Sequence, residues 1–143
     1  MGFYVSNNIT SGQLTYPVLS GTYTPTLSSP NSPGQIQFTN FNVLSAFYTQ
    51  VNDVINLNVR FTADVSAPVG EISGIINVTP PVYNIRSNNS IVGAITTISQ
   101  VGLFGNLAAS GNTIVVNMFN AAGPINVNNA VLQVISSYQV IEN

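Results

Sequence analysis

Apolar and polar residues alternate with a period of two along most of the chain, and no stretch sustains the i, i+3, i+4, i+7 spacing of an amphipathic helix. The clearest strand runs from Val54 to Phe61, where Ile55, Leu57, Val59 and Phe61 share one face while Asn56, Asn58 and Arg60 share the other. One face is therefore core and the other meets solvent or a partner. Thr113 to Phe119 repeats the pattern, with Ile114, Val116 and Met118 set against Thr113, Val115 and Asn117. From Ala130 to Ile141, Leu132, Val134, Tyr138 and Val140 oppose Gln133, Ser137 and Gln139. Shorter strands are expected at Gly21 to Leu27, Gln35 to Phe41, Leu44 to Gln50, Ile72 to Val78 and Ile91 to Ile98. About eight strands in one domain predict an all-β fold, a single antiparallel β-sandwich of jelly-roll-like form.

Turn-forming residues separate these segments at Ser28 to Gly34, Asn52-Asp53, Ala67 to Gly70, Pro80-Pro81, Ser87 to Ser90, Gly111-Asn112 and Ala121 to Pro124. Met1 to Ser20 is less regular and reads as an N-terminal arm, a candidate anchor on a neighbour, ahead of a domain spanning Gly21 to Asn143. No repeat of solenoid or propeller length is present.

Composition sharpens this picture through charge. Only 4% of the 143 residues are charged, against roughly a quarter in an ordinary domain. There is no Lys; the bases are Arg60 and Arg86, and the acids are Asp53, Asp64, Glu71 and Glu142. Abundant Val, Ile, Thr, Phe and Tyr predict a folded chain in spite of this. With two bases and a net charge of -2, neither nucleic acid nor an anionic membrane surface is an expected partner. The amino end lacks the basic segment of a secretory signal, so synthesis in the cytoplasm is expected. Strand edges are usually guarded by Lys or other charges, and here that protection is nearly missing. Partner subunits are expected to cover the edges.

Chemistry is constrained by what the chain lacks. Without His, Cys or Lys there is no imidazole base, no thiolate or imidazole metal ligand, and no Ser-His, Cys-His or Ser-Lys nucleophile. A glycosidase-like carboxylate pair must be drawn from the four acids, and each reads better as a turn or strand-end residue. Asp64 is placed at the end of a strand by this reading. Asp64 and Glu71 match no calcium-loop spacing. Neither an enzymatic activity nor a cofactor or metal is expected. Phe38, Phe41, Phe47, Tyr48, Tyr83 and Tyr138 offer a sugar-stacking platform in principle, but core packing is the stronger reading because most lie within strands.

Several segments in order resemble a β-sandwich domain of tailed-bacteriophage structural proteins, including head fibre and tail fibre components. Gly21-Thr22-Tyr23-Thr24-Pro25-Thr26-Leu27 is similar to the opening of those domains, and Phe47 to Val59 to their central strand pair. Asn52-Asp53 stands where that family usually has Gly-Asn, and Val59 to Phe61 replaces a small residue. Ile75 to Pro81, Gly93-Ala94 and the closing Ser137-Tyr138-Gln139-Val140-Ile141 continue the likeness. The resemblance implies a virion structural role, as a homotrimer in contact with other capsid or fibre proteins. Because only Met1 to Ser20 precedes the domain, a separate small subunit such as a capsid decoration protein is the expected form. A receptor- or carbohydrate-binding module, holding a host-surface glycan with loop aromatics and Asn-rich loops, is the alternative.

Self-association needs apolar residues on otherwise polar strand faces. Val115, Val131 and Ile135 alternate with the expected core positions Val116, Leu132 and Val134, and are the candidate oligomer interface.

Overall fold

A computed structural model describes residues 18–68, 72–86, 92–97, 103–120 and 124–141. The regular elements among them are all strands: β1 (Val18–Thr22), β2 (Leu27–Ser28), β3 (Gln37–Val51), β4 (Val54–Ala67), β5 (Ile72–Val78), β6 (Val92–Thr97), β7 (Leu103–Ser110), β8 (Thr113–Asn120) and β9 (Ile125–Gln139). They form two antiparallel sheets, one ordered β1-β3-β4-β9-β6 and the other β2-β5-β8-β7. The inward side chains of both sheets meet in one core, in which Phe61, Ile55, Leu132 and Tyr138 face Ile76, Ile114, Val116 and Met118.

The period-two pattern explains this partition. Ile55, Leu57, Val59 and Phe61 are all buried, and the alternation continues through Ala63, Val65 and Ala67, so β4 is longer than its Val54 to Phe61 signal. Gln35 to Phe41 and Leu44 to Gln50 merge into the single strand β3, which bends through register shifts between Thr39 and Asn42 and between Val43 and Ser45. The irregular steps between the two segments are bulges within one strand, each adding an unpaired residue. Gly21 to Leu27 divides instead: Val18–Thr22 pairs with Phe47–Val51, and the chain then crosses to the other sheet, where Leu27 and Ser28 pair with β5. Val18 to Ser20 thus belong to an edge strand, a correction to the expected arm; Met1 to Pro17 lie outside the described residues. The β7 strand was not expected, because Gly105, Asn106, Ala108 and Ala109 carry little strand signal.

Two turns match their chemistry. Asn52-Asp53 joins β3 to β4 with Asn52 at φ 58°, and Gly111-Asn112 joins β7 to β8 with Gly111 at φ 60°. Asn and Gly tolerate this left-handed backbone at least cost. The Asn112 carboxamide oxygen then accepts from the backbone N–H of Asn84 at 2.7 Å and of Ile85 at 3.2 Å, anchoring the segment before β6.

One sheet edge is sealed within the chain. Beyond the two-residue β2, the edge of β5 is met by the side chain of Asn31, whose Oδ1 accepts from Ile75 N–H at 3.0 Å while its Nδ2 donates to the carbonyls of Ile75 at 3.1 Å and Ile36 at 2.8 Å. Ile36 N–H continues the contact by donating to Ser73 O at 3.1 Å. A carboxamide does here what a neighbouring strand does elsewhere. This edge therefore needs no partner subunit, in contrast to the general expectation for the edges. Gly74 is required beside it: a Cβ at that position would stand 2.9 Å from Ile36 O.

Candidate functional site

The strand pairing divides the outward side chains into two faces. On the five-stranded sheet, Phe47 on β3 lies opposite Asn58 on β4, and Asn58 lies opposite Ile135 on β9, so the three form one row across the outer face. Thr22 of β1 and Ala94 of β6 stand at the ends of that row. Phe47 is 49% exposed and Ile135 50%. Between them, over Asn58, lies a shallow depression of about 210 Å³, also lined by Thr49 and Asn56. Gln133 Nε2 donates to Asn58 Oδ1 at 2.9 Å and fixes the carboxamide at its floor. No charged residue precedes Asp53 in the chain, so β1 and β3 contribute none to this face.

The expected interface residues do not form one patch. Val131 and Ile135 both lie on the outer face of the five-stranded sheet, separated along β9 by about 13 Å. Val115 lies on β8, between Asn77 and Ala108, on the outer face of the other sheet. That second face also carries Asn106 and Asn117, joined by a hydrogen bond of 3.2 Å, and none of the large exposed apolar residues among those described. Two aromatics depart from the core reading, Tyr83 in a loop and, within a strand, Phe47. Its parity held the signal, since it alternates with Ala46 and Tyr48 and keeps company with Ser45 and Thr49 on the polar side.

The other aromatics divide as core packing requires. Phe38 and Tyr138 are buried, and Phe41, Tyr48 and Tyr23 pack partly buried against the core. Tyr138 Oη donates to Val82 O at 3.0 Å and accepts from Val82 N–H at 3.3 Å. Burial pushes its phenol up to about 12, opposed by the Val82 hydrogen bond and helped by nearby Tyr48. Tyr23, edge-on to Tyr48 with ring centroids 6.1 Å apart, has a buried hydroxyl without a hydrogen-bond partner among the described residues. Its phenol is also raised, by burial and then by Tyr138. Tyr83, by contrast, is 60% exposed on the segment after Pro80-Pro81, beside Asn84.

The described acids do not converge. Asp53 occupies the β3–β4 turn, 3.6 Å from Arg86 Nη2. Asp64 lies within β4, not at its end as expected: Oδ2 accepts from Asn40 Nδ2 at 2.7 Å and Oδ1 from Asn129 N–H at 2.9 Å. Eleven residues of strand place the two acids about 35 Å apart, far beyond the roughly 5–9.5 Å of a glycosidase pair. Glu71 and Glu142 lie outside the described residues. Among the described residues there is no group of three or more potential metal ligands and no helix long and apolar enough to cross a membrane. No protein-family model, no curated protein and no solved structure matches the chain.

Proposed function

We propose that this chain is a structural subunit of a bacteriophage particle, a head fibre, tail fibre or capsid decoration protein, that acts by self-assembly and display. In this reading the two sheets form a β-sandwich of jelly-roll type, and copies associate as a homotrimer on other virion proteins. The observation that carries the self-assembly is that exposed Phe47 and Ile135 flank Asn58 in one row of the outer face of the five-stranded sheet, a face that carries Val131, Arg60 and Asp64 as well as neutral polar residues. Large exposed apolar side chains close together on one sheet face favour a buried protein contact over a hydrated surface. The bacteriophage assignment rests on the sequence resemblance, with Tyr138, part of its closing motif, buried in the core. Imaging of intact particles tests it. A copy number matching capsid or tail symmetry supports the assignment, and absence of the subunit from purified particles refutes it.

A receptor- or carbohydrate-binding module is the second reading, favoured by one observation. Tyr83 is exposed on a loop beside Asn84, whose N–H is held by Asn112, and an aromatic ring among amides suits a neutral sugar. Glycan-array binding lost on Tyr83→Ala supports this reading, and an unbound array refutes it.

A further inference from the structure

We draw no further inference here: the strongest candidate, the shallow depression over Asn58 between half-exposed Phe47 and Ile135 on the outer face of the five-stranded sheet, lies on an exposed face for which nothing in the structure shows what covers it.

Discussion

Asp64 and Asn129 hold two strands together at a point where their registers part. Asn129, at φ 56°, is one of two residues of β9 that stand opposite Asp64 between the Ala63–Ala130 and Val65–Val127 pairs. Its N–H donates to Asp64 Oδ1, while Oδ2 takes Asn40, at φ 54°, from the bulge on β3. A single carboxylate thus clasps the bulges on both sides of β4.

The clasp makes stability sensitive to acid. The Asn40 side chain, and after it the Asn129 backbone, hold the Asp64 carboxyl below its usual range, against a small opposing effect of burial. A carboxyl lowered by folding stabilises the native state above its unfolded value, near 3.9, and that stabilisation is lost as pH falls through the lower folded value. Denaturant midpoints measured from pH 7 down to about 2 should fall below pH 4. Asp64→Ala should lower the midpoint at neutral pH and flatten that decline; an unchanged decline contradicts the role given to Asp64.

Tyr138 and Tyr23 should respond oppositely to loss of the hydroxyl. Tyr138→Phe strands the N–H and C=O of Val82 and should cost about 1–3 kcal/mol. Tyr23→Phe removes a buried hydroxyl with no partner among the described residues and should be neutral or stabilising by up to about 1 kcal/mol. Both phenols are raised, so native stability should fall as pH rises from about 10, the unfolded value, towards about 12 for Tyr138. Equal losses for the two variants in chemical denaturation would contradict these environments.

The sealed β5 edge predicts a coupled pair. Asn31→Ala leaves Ile75 N–H unpaired and should cost about 1–3 kcal/mol. Gly74→Ala drives a methyl against the Ile36 carbonyl and Asn31, with a cost of about 1–3 kcal/mol for overpacking. Because both loosen the same loop, the double variant should lose less than the sum. Strict additivity in urea melts would show that the loop is not held through Asn31.

These devices mark the boundary of what the sequence makes legible. Core positions such as Phe61, Val116 and Leu132 follow from alternation alone, because a side chain's face is fixed two residues at a time. The Asn40 and Asn129 bulges break that count, and Asn31 replaces a strand with a side chain, so neither leaves a periodic trace. By the same alternation Val131 and Ile135 of β9 fall on one face, while nothing in the alternation of β8 reveals that Val115 belongs to the other sheet.

Salt should matter little to assembly. With four acids and two bases in the chain, few ion pairs are available to be screened. Oligomer mass in sedimentation should be unchanged from low salt to about 1 M NaCl, a range over which the Debye length falls to about 3 Å. Dissociation across that range would show that charge, and not apolar and amide burial, holds the copies together.

Multi-angle light scattering of the protein and of Ile135→Asp, across a dilution series to micromolar concentration, tests the central claim most directly. Ile135 is half exposed on the outer sheet face, and if copies pack there the variant places an unpaired charge in an apolar contact. The wild type should keep a mass three times the 15.1 kDa of the chain on dilution, and the variant should fall to the monomer mass. A soluble, monomeric wild type at micromolar concentration would contradict the account.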